Sequence, residues 1–275
     1  SAVLSPYPDS RIRRLPATES RREGMRYHRR IEAMALRTAA FRMKEEDMES
    51  YLHYREEGTG DPLILLHGNG EDGGYFVHQI ERFSQRFRTI AVDTRGHGAS
   101  PRGNAPFTFA QFARDLENFL NELELPRANL LGFSDGGIIA LLFALEHPDR
   151  VERMVLNGAN LFPEGVEPGL RERIRAKHEA YRGNAPYEDA DTQRKYELVR
   201  LMAEEPHIDP ADLADLAVPT LVIAGTGDMI EEEHTRLIAA SLPCAELAII
   251  PGDHFIARDN HEAFNDAVER FLLAP

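Results

Sequence analysis

Apolar residues along this chain gather in short runs that alternate with longer stretches of helical period. The runs at 63–66, 89–92, 128–131, 151–156, 219–224 and 246–250 are rich in Val, Ile, Leu and Ala. Runs of this length without polar alternation fit strands buried on both faces. Between them, 75–86, 109–123, 138–145 and 261–273 place apolar side chains at helical spacing. Tyr51-Leu52-His53-Tyr54 alternates like an edge strand, and Phe41-Arg42-Met43 is a candidate to pair with it. Strands alternating with helices predict an α/β fold: a mostly parallel sheet with helices on both faces. Ligands of such sheets bind beyond the carboxyl ends of the strands. His67, Asp93, Ser134, Asp228 and His254 all follow a predicted strand.

Two segments stand apart from this alternation. Residues 161–210 are charged and hold helical stretches at 170–181 and 192–203, longer than a connection needs. They predict a small helical cap inserted into a core made of 39–160 and 211–275. Residues 1–38 form a basic N-terminal arm, irregular over 1–20, where Pro6, Pro8 and Pro16 fall, and helical over 25–38.

Charge sharpens that division. The net charge is −14, but residues 1–44 hold eleven Lys/Arg against four Asp/Glu, a balance of +7. The remaining 231 residues therefore carry −21. An acidic body argues against nucleic acid as a partner and points to neutral or cationic substrates. Three readings of the arm stand: a targeting segment, sequence upstream of a later start at Met25, Met34, Met43 or Met48, or a structural arm. The third is preferred, with the arm docked on the acidic body or on a neighbouring subunit of a homo-oligomer. The arm lacks the long apolar core of a secretory signal. No apolar run approaches the ~20 residues of a membrane span. Cys244 is the single cysteine, which excludes an intrachain disulfide and fits a cytoplasmic location. It reads as a small buried apolar residue. No Cys/His cluster has zinc spacing, so no metal is expected.

The chemistry concentrates at Gly132-Phe133-Ser134-Asp135-Gly136-Gly137, which lies directly between a strand and a helix. A serine on such a turn projects above the sheet at a helix N-terminus, where N–H groups and the dipole favour negative charge. A serine hydroxyl needs a base, and the base an orienting carboxylate. Asp228, in Gly225-Thr226-Gly227-Asp228, and His254, in Gly252-Asp253-His254-Phe255, follow the last two strands in the order Ser, Asp, His. Asp253 adjoins His254 too closely in sequence to face it and is left out. The loop Asn157-Gly158-Ala159-Asn160 offers no carboxylate before Glu164. His67 and His97, both in Gly-rich turns, read as structural. Acyl transfer also needs donors for the developing oxyanion. The backbone N–H groups of Asp135 and Asn69 are chosen, the second because Gly68 and Gly70 let the backbone approach.

Together with Asp93-Thr94-Arg95-Gly96-His97-Gly98-Ala99-Ser100, these motifs resemble the α/β-hydrolase superfamily over about residues 40–275. The resemblance implies a Ser134/His254/Asp228 triad, an oxyanion hole at the Asn69 and Asp135 amides, and no cofactor. The function it implies is cleavage of a small carboxylic ester through an acyl-enzyme. Within the superfamily, Gly-Phe-Ser-Asp-Gly-Gly with the later Asn157-Gly158-Ala159-Asn160 is similar to the biphenyl-hydrolase-like group. That likeness suggests that the Asp135 carboxylate meets a substrate ammonium, as in an amino-acid ester. An aminoacyl-ester hydrolase, a C–C bond hydrolase and a non-enzymatic small-molecule receptor remain as alternatives.

Overall fold

A computed structural model describes residues 51–183 and 189–274. The predicted arm, its helix and the 41–43 strand lie outside these residues. Within them the strands are β1 (Tyr54–Glu57), β2 (Pro62–Leu66), β3 (Arg88–Val92), β4 (Ala128–Phe133), β5 (Val151–Asn157), β6 (Thr220–Gly225) and β7 (Ala245–Ile250). They form one sheet in the order β1-β3-β2-β4-β5-β6-β7. β1 runs antiparallel to β3 and every other pair is parallel. The sheet therefore has the mostly parallel character that the apolar runs predict.

Continuous apolar runs are what a two-faced sheet requires, because successive side chains point to opposite sides. Ile64, Leu66, Ile90 and Val92 join a cluster with the helices α2 (Phe109–Glu122) and α3 (Asp135–Glu146). Their neighbours Leu63, Leu65 and Ala91 turn to the other face. There they meet α1 (Val77–Phe83) and α8 (His261–Leu272). Between β5 and β6 lie α4 (Pro168–Arg182) and α5 (Ala190–Glu204), packed on each other. The remaining helices are α6 (Glu232–Ser241), and α7 (Ile256–Asp259) before α8.

Four local expectations need correction. The first strand is Tyr54–Glu57, not 51–54. Its residues are mostly exposed and charged, so backbone pairing to β3 defines it and no burial pattern marks it. The helix expected over 75–86 is a 3₁₀ turn at Gly73–Phe76 followed by only two turns of α-helix. Asp72 caps that turn by accepting from Gly74 N–H. Helix α6 has no counterpart in the predicted elements. Cys244 is exposed, in the turn that precedes β7.

One buried ion pair fixes the loop after β3. Arg95 makes a two-pronged contact with Asp115 of α2, Nε to Oδ2 at 2.7 Å and Nη2 to Oδ1 at 2.6 Å. Both side chains are almost fully buried. Removing one partner leaves the other charge buried and unpaired. Arg95→Met should therefore cost about 3–5 kcal/mol in urea unfolding, and adding Asp115→Leu should recover most of that loss.

Candidate active site

The carboxyl ends of the central strands carry the polar residues singled out above. Ser134 follows β4 directly with φ 53° and ψ −117°, a conformation rare for a residue with a Cβ. The strain is on the order of 1–3 kcal/mol and is held by the surrounding backbone. Ser134 N–H donates to Asn157 O at 2.8 Å, and Ser134 O accepts from Gly137 N–H at 2.9 Å. The following helix starts so close to β2 that a Cβ on Gly136 would lie 2.0 Å from Leu66 O. Only glycine fits there.

His254 reaches Ser134 from the loop after β7. Its Nε2 lies 3.0 Å from Ser134 Oγ, and its Nδ1 lies 2.7 Å from Asp228 Oδ1. Both side chains of the His–Asp pair are buried. With Nδ1–H donating to Asp228 Oδ1, Nε2 is left as the acceptor facing the serine hydroxyl. Asp228 Oδ1 also accepts from Ile230 N–H at 2.9 Å, which fixes the carboxylate. Gly158, at φ 62°, makes room for the imidazole, since a Cβ there would lie 2.8 Å from His254 Cε1. Asp253 turns to solvent and accepts from Phe255 N–H, as its omission anticipated.

The loop after β2 holds Asn69. Neither the Asn69 nor the Asp135 backbone N–H donates a hydrogen bond among the described residues. Two neutral histidines hold this loop from below. His67 Nδ1 donates to Gly68 O at 2.8 Å, and its Nε2 accepts from Thr94 N–H at 3.0 Å. His97 Nε2 accepts from Gly70 N–H at 3.3 Å. Burial pushes the His67 pKa down and takes His97 down to about 3. The structural reading of these two histidines fits this geometry.

A narrow cleft with room of about 40 Å³, partly open to solvent, lies above Ser134. Asp135 and Asn160 line it, with Ile174 of α4 and Met202 of α5. Burial raises the Asp135 carboxyl to about 6, against the opposing effect of a hydrogen bond from Asn69. Glu205, just past α5, lines the same cleft and adds a further upward push on Asp135. Glu205 was not singled out in the sequence, where it is one of many acidic residues in a charged segment.

Comparison with known proteins shows the family. A family model described as the alpha/beta hydrolase fold matches residues 61–195. A protein of Caulobacter sp. (strain K31) that bears the name carbamate hydrolase RutD is 31% identical over 243 residues, covering 76% of this chain and 90% of that protein. The chain belongs to the α/β-hydrolase family. The human serine hydrolase BPHL is 29% identical, with 80% of this chain and 82% of that protein covered. The crystal structure of an enol-lactonase from Burkholderia xenovorans LB400 superposes with a TM-score of 0.68 at 25% identity, covering 80% of this chain and 96% of that one. No helix among the described residues of this α/β-hydrolase is long and apolar enough to cross a membrane.

The neutral histidines give this hydrolase a pH signature. In the unfolded chain both titrate near 6.5, whereas in the fold both are pushed down. The unfolded state binds more protons between the two values, so stability falls as pH drops from 6.5 toward about 3. Urea midpoints should decrease across this range, and the decrease should be smaller in His97→Asn.

Proposed function

We propose that this α/β-hydrolase is a serine enzyme that cleaves small carboxylic esters through an acyl-enzyme. The observation that carries the reading is the hydrogen-bonded chain from Ser134 Oγ through His254 to Asp228. A serine hydrolase and an enol-lactonase among the similar proteins support it, a lactone being a cyclic ester.

In this reading Ser134 Oγ attacks the ester carbonyl while its proton passes to His254 Nε2. The imidazolium is held by Asp228, and the tetrahedral oxyanion faces the N–H groups of Asn69 and Asp135. Collapse breaks the bond to the alkoxide, which leaves with the proton from Nε2. Water then gives a proton to His254 and attacks the acyl carbon. Ser134 recovers its proton from His254, and the carboxylic acid departs. The scheme calls on no cofactor.

A panel of p-nitrophenyl esters from acetate to laurate tests this, with labelling by a fluorophosphonate probe. Short esters should be turned over best. Ser134→Ala should lose labelling and about 10⁵-fold or more in kcat. A wild-type protein that is neither labelled nor active would sink the reading and favour a small-molecule receptor.

Two carboxylates in the cleft favour a second reading, an aminoacyl-ester hydrolase. An ionised Asp135, with Glu205 beside it, attracts an ammonium group. The carboxyl of Asp135 loses its proton near pH 6, so preference for an aminoacyl over a neutral acyl ester should rise between pH 5 and 7. Asp135→Asn should reduce that preference about tenfold. An unchanged ratio of kcat/KM values on the two esters would remove this reading.

A further inference from the structure

The side chains of the two residues chosen as oxyanion donors touch each other. Asn69 Nδ2 donates to Asp135 Oδ2 at 2.9 Å. The same Nδ2 group donates to Leu198 O, within α5, at 3.2 Å. Asn69 stands on the loop after β2, and Asp135 is the first residue of α3. These elements are distant in sequence, and their backbones approach through glycines that bring no side chain to the junction. The Asn69–Asp135 bond therefore closes a ring: Asn69 backbone, Asn69 side chain, Asp135 side chain, Asp135 backbone. A ring of this kind sets the spacing of the two N–H groups at its ends.

The loop has little else on its upper side. From below, His67 and His97 hold the residues on either side, Gly68 and Gly70, and not Asn69 itself. From above, a Cβ on Gly70 would meet Leu198 Cδ1 only at 3.8 Å, an ordinary contact. Asn69 also has no backbone hydrogen bond of its own among the described residues. Its side-chain amide is the polar link that it makes to its surroundings. An oxyanion hole works by preorganisation, and a donor displaced by a fraction of an ångström loses much of its effect.

We propose that the Asn69 side chain is a positioning residue. It locks the Asn69 and Asp135 N–H groups into register and fastens that register to helix α5. The proposal rests on the serine-hydrolase reading above and assigns to the Asn69 and Asp135 side chains a task separate from substrate recognition. Burial strengthens the link, since the acceptor carboxylate is shielded from competing water.

The test uses the full chain and three variants. Asn69→Ala and Asp135→Ala keep both backbone amides but break the link. The third is the Asn69→Ala/Asp135→Ala double variant. Each alanine variant should lower kcat on p-nitrophenyl acetate by about 10- to 100-fold, with KM within about threefold of wild type. Phosphonylation of Ser134 by a fluorophosphonate should slow by a similar factor. The double variant should be no slower than the worse single one. Melting curves identify loss of fold, which would lower the active fraction without changing the labelling rate of the folded part. Asn69→Ala labelled at the wild-type rate would overturn the proposal, as would losses that multiply in the double variant. A wild-type Ser134 that never reacts would instead sink the parent reading and this one with it.

Discussion

The site depends on the close approach of helix α3 to strand β2. Gly136 sits where any Cβ would overlap the Leu66 carbonyl. That approach forces the chain to reverse within one residue, and Ser134 takes the strained conformation that results. The strain persists because β4 is buried on both sides and hydrogen-bonded to both neighbours. A less buried strand would relax and let the serine rotate back toward an ordinary turn. Burial of the sheet centre and exposure of one hydroxyl are thus a single arrangement seen from two ends.

From that point the other groups are placed by strand order. β2 and β5 flank β4, so the loops after them border Ser134 on two sides. β6 and β7 follow outward, and their longer loops carry Asp228 and His254 back to the centre. Each catalytic candidate comes from a separate loop, and each loop is fixed by its own local device. Asp228 is held by the Ile230 amide, the loop after β2 by two uncharged imidazoles, and the loop after β3 by Arg95 and Asp115.

Much of this was legible in the sequence because burial on both faces leaves an unmistakable apolar run. Residues 63–66 and 128–131 mark their strands by that means, and the residues after them inherit a position at the carboxyl edge. Tyr54–Glu57 left no such mark, because backbone pairing alone holds a charged strand. Helix α6 was invisible for a related reason: its mixed Glu, Arg and Ala surface resembles the loops beside it. Side chains that meet across loops were beyond reach. Nothing in their spacing signals that Asp135 and Glu205 share one cleft or that the Asn69 side chain meets α5, since both depend on where α5 comes to rest.

Asp135 has a consequence for how such an enzyme can diverge. It lines the cleft, and its carboxylate accepts from Asn69, the residue proposed to supply the other amide. A substitution there that alters the charge offered to a substrate also alters the link to Asn69. In the proposed reading, a change at this one residue therefore touches both selectivity and rate. Change in substrate preference is easier from the opposite wall of the cleft, through Ile174 and Met202, whose side chains belong to helices apart from the reacting groups.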